Sequence, residues 1–300
     1  MADLSRPLCI YHGNCADGFT AAWAVWLRLQ DAEFVPGFYG TPPPDVAGRD
    51  VIIVDFSYKA PELAAMANVA RSLVVLDHHK TAEAELSWLP RARPTWDQHI
   101  QAAHNDHIMG ANGAAALFEA DHSGAYMAWR FFHPDRAVPH LVLHVEDRDL
   151  WRFALPGTRE IQAVLFSHPY DFGRWNSLAK RLEMLEGKAK MVFEGEAIER
   201  KHHKDVAELV RVTRRQMRIG GVVVPVANLP HTLASDAGNL MAGEAPFAAC
   251  YFDKPGARVF SLRSRGSAGA DVSEIAKRYG GGGHRNAAGF QAPPGWEGDA

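Results

Sequence analysis

Leu73-Val74-Val75-Leu76-Asp77-His78-His79 sets four strand-forming side chains directly before an acid and two imidazoles. The same arrangement occurs twice upstream: Val51-Ile52-Ile53-Val54 stops at Asp55, and Leu8-Cys9-Ile10-Tyr11 stops at His12. Apolar runs without polar alternation suit strands covered on both faces, as in a parallel sheet. Between them, Gly18 to Leu29 and Ala60 to Ser72 carry the small and apolar residues of crossover helices. The first 160 or so residues therefore read as βαβ units, α/β in class, on a doubly wound, mostly parallel sheet. Such sheets bind ligands at the carboxyl ends of their strands, so the polar termini are expected to converge on one crevice.

Further along, residues 90–120 mix Pro, His, Asn and Gly and read as an insertion or lid, before helical periodicity resumes at Ser123-Gly124-Ala125. Trp23, Trp26, Trp129, Phe131 and Phe132 read as packing. Leu178, Leu182, Leu185, Ala189 and Val192 recur at helical spacing, so about 178–217 reads as one or two amphipathic helices, ended by Ile219-Gly220-Gly221. From Val222 the chain returns to β-like runs, then a helix over Asp271–Tyr279 and a glycine-rich turn. This predicts a catalytic domain over 1–165, a helical connector over 166–218 and a smaller α/β domain over 219–300.

The chain has 300 residues, 47% of them hydrophobic, which is enough for a real core in each of two domains and excludes a disordered or fibrous chain. With 32 Lys and Arg against 35 Asp and Glu, it carries no basic footprint for long duplex DNA, so a nucleic-acid substrate is expected to be short or single-stranded. Three cysteines (Cys9, Cys15, Cys250) argue against a disulfide framework and for a reducing, cytoplasmic setting. The N-terminal MADLSRPLCIYHG is too briefly apolar for a signal peptide, and no run suits a membrane span.

Histidine is the compositional outlier, with 15 residues. His12, Asp17, Asp55, Asp77, His78, His79 and Asp147 each stand at or just after the end of an expected strand or helix. Carboxylates with neutral imidazoles suit Mn²⁺ or Mg²⁺ ahead of Fe²⁺ or Zn²⁺. Two such ions bridged by one carboxylate, for which Asp55 is the candidate, would activate water and clamp a phosphoryl oxygen. Taken singly, Asp55 and Asp77 read equally well as helix caps. The joint occurrence favours the metal.

Val74-Val75-Leu76-Asp77-His78-His79 resembles the signature of the DHH phosphoesterase superfamily. YHGNCADGFTAAW from Tyr11 resembles its first motif, VIIVDFSY from Val51 its second, HVEDRDLW from His144 its fourth, and YGGGGHRNAAGF from Tyr279 the glycine-rich motif of the DHH-associated C-terminal domain. The likeness spans residues 11–290 and implies phosphoester hydrolysis that depends on Mn²⁺, as two ions, with Mg²⁺ or Co²⁺ as substitutes. Carried over, it implies His12, Asp17, Asp55, His78 and Asp147 as ligands, Asp77 as an acceptor that orients an imidazole, and His79 as the group facing the substrate phosphate. The first motif departs from the common pattern at Cys15, where many relatives carry an additional acid. Three options stand: a Cys15 thiolate ligand, an Asn14 carbonyl ligand, or a first ion that binds weakly and arrives with substrate. In the fourth motif Asp147 is favoured over Asp149 because it lies nearer the apolar stretch, which leaves Arg148 and Asp149 for substrate or a salt bridge.

In the C-terminal part, Gly280, Gly281, Gly282 and Gly283 let backbone N–H groups approach a phosphate, and His284 can reach the same anion. Arg263 and Arg265 are expected side by side on one face of a strand, a pair suited to a phosphate or carboxylate. Ser235 to Asn239 reads as a helix start. The expected activity is hydrolysis of short oligonucleotides or linear dinucleotides to mononucleotides by metal-activated hydroxide, as the oligoribonuclease-like branch of the family implies. Two alternatives are an exopolyphosphatase or 3′,5′-bisphosphate nucleotide phosphatase, and a nucleotide-binding sensor that has lost hydrolysis. Expected partners are short single-stranded nucleic acid or a small phosphorylated nucleotide, with no membrane. The oligomeric state, a homodimer included, is left open.

Overall fold

The three apolar runs form neighbouring strands of one sheet, in a computed structural model that describes residues 6–108 and 113–300. The first five residues, part of the stretch read for a leader, and residues 109–112 of the 90–120 segment lie outside the described residues. The chain divides into two compact units, Met1–Ile198 and Glu199–Ala300.

In the first unit the order is β1 (Leu8–His12), α1 (Ala16–Arg28), β2 (Glu33–Gly37), β3 (Asp50–Val54), α2 (Ala60–Val69), β4 (Ser72–Asp77), α3 (Lys80–Leu86), α4 (Trp96–Ile108), β5 (Gly113–Phe118), α5 (Gly124–Phe132), α6 (His140–Asp149), α7 (Thr158–Phe166), α8 (Phe172–Leu182) and α9 (Leu185–Thr213). The strands line up as β2-β1-β3-β4-β5, every pair parallel. Because successive side chains on a strand point to opposite faces, each run feeds two cores. Cys9, Ile52, Val54, Val74 and Leu76 pack with Trp23 of α1 and with Trp129 and Phe131 of α5. Leu8, Ile10, Val51, Ile53, Leu73 and Val75 pack with Leu63 and Met66 of α2. Burial on both faces explains the missing polar alternation, and the sheet is doubly wound. After β1 the chain crosses through α1 to β2, then returns to place β3 on the other flank of β1, so the winding reverses between β1 and β3. That reversal opens a crevice at the carboxyl ends of the two strands.

Three strands differ from the sequence reading. β5 lies within the segment read as an insertion; its GAAALF sequence lacks the β-branched residues that mark a strand, yet Ala114, Ala115 and Ala116 are buried beside β4. β2 carries Pro36, which removes a ladder donor, and it lies at the sheet edge. β6 (Arg215–Ile219) occupies the end of the expected helix; there Met217 and Ile219 are buried and Arg218 is exposed, a period of two.

The division between the units falls inside α9, within the segment expected to connect the domains. After β6, the second unit continues through β7 (Val222–Asn228), α10 (Ala234–Met241), β8 (Ala248–Lys254), β9 (Ala257–Arg263), α11 (Val272–Lys277), β10 (Gly282–His284) and β11 (Ala287–Ala292). Its sheet runs β10-β11-β9-β8-β7-β6 and is antiparallel except where β7 meets β8. The expected glycine-rich turn is in part the edge strand β10, which pairs with β11. A Cβ on Gly281 would fall 2.1 Å from the Gly289 carbonyl oxygen, so close strand packing alone demands glycine there. Among the described residues no helix is long and apolar enough to cross a membrane.

Candidate metal centre

His12 is the last residue of β1, Asp55 directly follows β3, and Asp77 ends β4 and leads into His78-His79. Parallel neighbours with this register bring all of these groups to one edge of the sheet. Asp55 adopts φ +55°, a left-handed backbone that few residues other than Gly, Asn and Asp take readily. Its N–H still donates to the Leu76 carbonyl at 2.9 Å, so the strand pairing continues while the carboxylate turns off the strand.

The Asp55 carboxylate stands between two imidazoles. Its Oδ2 lies 3.4 Å from His12 Nδ1, and its Oδ1 lies 3.0 Å from His78 Nε2. His78 Nε2 is also 3.7 Å from Asp17 Oδ2 and 3.6 Å from Asp149 Oδ2. Within the first unit two triads result, His12–Asp55–His79 and Asp17–His78–Asp149, each with ligand atoms within 4.8 Å of one another. His12 Nδ1, Asp55 Oδ2 and Asp149 Oδ2 are buried with no hydrogen-bond partner among the described residues. Buried polar atoms are rarely left so. Ligand atoms on one cation are about 3 to 3.5 Å apart, so this oxygen and nitrogen donor set fits a divalent ion.

Second-layer contacts hold the groups in place. Asp77 Oδ1 accepts the backbone N–H of His78 at 2.8 Å and of His79 at 3.2 Å, and meets His79 Nδ1 at 2.7 Å, which fixes the His79 ring as such partners do for metal-site imidazoles. Asp17 accepts the N–H of Gly124 at 2.7 Å and of Ala125 at 3.0 Å, so the N-terminus of α5 is anchored to the first turn of α1. Gly124 makes this approach feasible, since a Cβ there would lie 2.4 Å from Asp55 Cβ and 3.0 Å from Asp17 Oδ2. Gly124→Ala is expected to cost about 2 kcal/mol of stability through overpacking and to weaken divalent-ion binding. Calorimetry of unfolding and of metal titration checks both, and a variant equal to wild type in both would contradict the packing account.

Charge in the buried cluster is strongly redistributed. Burial favours the neutral form of every member, but the Asp55 carboxylate outweighs it at both imidazoles. His12, with Cys15 also beside it, is held well above its ordinary pKa, and His78 is pushed up to about 10. For Asp55 burial again acts upward, and the adjacent His12 and His78 imidazoles overcome it, so its pKa lies well below the carboxylate range. Burial and the nearby Asp55 charge raise Asp17 and Asp149. Cys15 caps α1 at the rim, its thiol pushed up by burial and then by Asp55.

Asp149, rather than Asp147, belongs to this cluster. The Asp147 carboxylate points to the following loop, where Oδ1 accepts the Ala154 N–H at 2.8 Å and Oδ2 accepts the Leu155 N–H at 3.0 Å and the Thr158 hydroxyl at 2.6 Å. Residues two apart on a helix point about 200° apart, so only one of them can face the cluster. Asp147→Asn is expected to cost about 2 kcal/mol of folding stability, seen as a lower urea midpoint with metal binding retained. Asp149→Asn should do the reverse.

In the second unit Arg263 ends β9 and donates to Ser235 Oγ at 2.8 Å, so Ser235 serves as its acceptor within α10. Arg265 lies beyond the strand and donates to the Asn239 carbonyl at 2.8 Å, so the two guanidiniums do not share a strand face. Gly282, Gly283 and His284 form β10, next to Gly281. Tyr39, which no local motif marks, packs its ring 5.5 Å from that of His12 and 6.3 Å from that of His79.

No protein-family model matches the chain. The DHH domain of a protein described as a member of a family of ribosomal proteins superposes on it with a TM-score of 0.52, over 95% of this chain and 82% of that one, at 14% identity. The chain has the DHH-domain fold. The pGpG-specific phosphodiesterase PggH from Vibrio cholerae is also similar, at 14% identity and a TM-score of 0.46, over 97% of this chain and 94% of that one. An uncharacterized protein of Acanthamoeba polyphaga mimivirus, R106, is 30% identical over 308 residues, 94% of this chain and 66% of that protein. In this DHH-domain fold the DHH triplet is Asp77-His78-His79, at the end of β4.

Proposed function

We propose that this protein is a metal-dependent phosphoesterase of the DHH superfamily that hydrolyses the phosphodiester bonds of short oligonucleotides or linear dinucleotides. The observation that carries the reading is the Asp55 carboxylate set between His12 and His78 in a buried cluster of imidazoles and acids. His12, Asp17, Asp55, His78 and Asp149 would hold a pair of divalent cations, with Asp55 shared. When bound, such ions lower the pKa of water and oppose charge developing on the phosphoryl group, and Mn²⁺ suits the donor set, with Mg²⁺ or Co²⁺ as substitutes.

The chain's own groups do the remainder. Asp77, on Nδ1 of His79, would orient that ring so that Nε2 can donate a hydrogen bond to the phosphoryl oxygen as charge gathers there. Arg148, adjacent to Asp149, offers a guanidinium to the substrate phosphate. Arg263, Arg265, Gly281, Gly282, Gly283 and His284 are the groups proposed for substrate recognition in the second unit. The near-neutral charge of the chain favours the short end of the substrate range.

The test is one assay with Mn²⁺ across di- to decanucleotides, adenosine 3′,5′-bisphosphate and tripolyphosphate. Turnover is expected to be fastest on dinucleotides, to fall with length, to vanish on chelation and to be lost in His78→Ala. Cleavage of tripolyphosphate alone would make the protein a polyphosphatase, and metal binding without any turnover would make it a sensor.

A further inference from the structure

Helix α6 ends at Asp149, and the residues after it form a turn that the metal cluster does not use. Trp151 and Phe153 both adopt left-handed backbone, with φ of +56° and +48°. Bulky residues rarely do so. The turn is held by Asp147: its carbonyl accepts the N–H groups of Arg152 and Phe153 at 2.8 and 3.2 Å, and its carboxylate takes those of Ala154 and Leu155. Arg152 leaves in the other direction, with Nη2 on the Asp121 carbonyl at 2.7 Å and Nη1 3.4 Å from Glu146 Oε1. Strain kept in place by several independent ties, next to a candidate ligand, points to a use for the side chains it presents.

Those side chains alternate rings with guanidiniums. Arg148 lies 4.8 Å from the Phe166 ring centre and 5.5 Å from that of Trp151; Arg159 lies 5.8 Å from Trp151 and 3.7 Å from Phe153. The order is Phe166, Arg148, Trp151, Arg159, Phe153. Among the described residues the Arg148 guanidinium makes no hydrogen bond or ion pair, so its edge is available to an anion. Phe166, at the end of the series, is 47% exposed, so the end of the stack is open to a ligand. Arg148 directly precedes Asp149, whose Oδ2 is 3.6 Å from His78.

From this alternation and the open Phe166 ring we infer a nucleobase seat beside the metal cluster. The base stacks on Phe166, the N–H edge of Arg148 meets the phosphate attached to that nucleoside, and Arg148, Trp151, Arg159 and Phe153 support the ring from behind. The inference rests on the phosphoesterase reading for the position of the phosphate, and it narrows the substrate class to phosphates that carry a base. Aromatic and guanidinium faces accept any base, so the seat selects for a base without selecting its identity.

The test is calorimetric titration of the full chain with adenosine 5′-monophosphate and with ribose 5-phosphate, in chelator so that hydrolysis plays no part. Wild type is expected to bind the nucleotide roughly five- to a hundred-fold more tightly than the sugar phosphate, the range stacking on one ring supplies. Phe166→Ala, on the surface and so safe for folding, should bring that ratio close to one. Trp151→Ala should reduce it through loss of support, with thermal melts reporting whether the turn survives. Equal affinities in wild type, or an unchanged ratio in Phe166→Ala, would overturn the seat and reduce the ladder to a brace for the turn. Absence of turnover in the Mn²⁺ assay would remove the hydrolytic reading while leaving this one standing.

Discussion

Asp55→Asn lowers kcat/KM for a dinucleotide by about 10³-fold or more, and divalent-ion affinity by at least about a hundred-fold, because it removes the one carboxylate shared between His12 and His78. Asparagine tolerates the left-handed backbone nearly as well as aspartate, so the turn after β3 keeps its shape and the loss reports charge. The same substitution strips both imidazoles of the counter-charge that raises them. His78, at about 10 in the metal-free protein, should fall toward or below the ordinary histidine range as burial takes over. Activity assays, metal calorimetry and an NMR titration of the ring measure the three consequences together. A variant that retains wild-type metal affinity and turnover would remove Asp55 from the site.

Divalent-ion affinity rises steeply with pH, by up to about two logarithmic units per pH unit between pH 6 and 8. The sign follows from competition. In the metal-free protein His12 is held well above its usual pKa and His78 at about 10, which favours a proton on both rings in that window. A cation must displace both protons, each contributing a tenfold change per pH unit; acid therefore weakens binding and base strengthens it. Titrations in buffers of different ionisation enthalpy count the protons released, with about two expected. A pH-independent affinity, or no proton release, would show that the rings are neutral before the ion arrives and that the Asp55 pairs do not govern them.

Much of the candidate cluster was readable because β1, β3 and β4 are apolar on both faces and stop at polar residues. In a parallel sheet every strand points the same way, so His12, Asp55 and Asp77-His78-His79 had to emerge at one edge. The choice between Asp147 and Asp149 was not readable. Both lie on α6, and the rotation of that helix about its axis, set by the packing of Leu141, Val142 and Val145 into the core, aims one at the His78 cluster and the other at Thr158. β5 escaped notice because alanines carry no strand signal, β2 because of Pro36, and β6 because its alternation merges with the charged end of α9. Arg263 and Arg265 share the parity of one strand face, but β9 closes at Arg263 and each finds a different partner on α10.

The periodicity of apolar residues along the chain was enough to establish a doubly wound parallel sheet and the chemistry standing at its strand ends, since burial on two faces leaves a mark on consecutive residues. Which acids face the cluster, and what charge each group carries, depended on neighbours far away in sequence. Asp17 is anchored by N–H groups 107 and 108 positions later, and His78 takes its charge from Asp55, 23 residues before it. Electrostatic fields and helix rotation act through space, so no local pattern of residues records them.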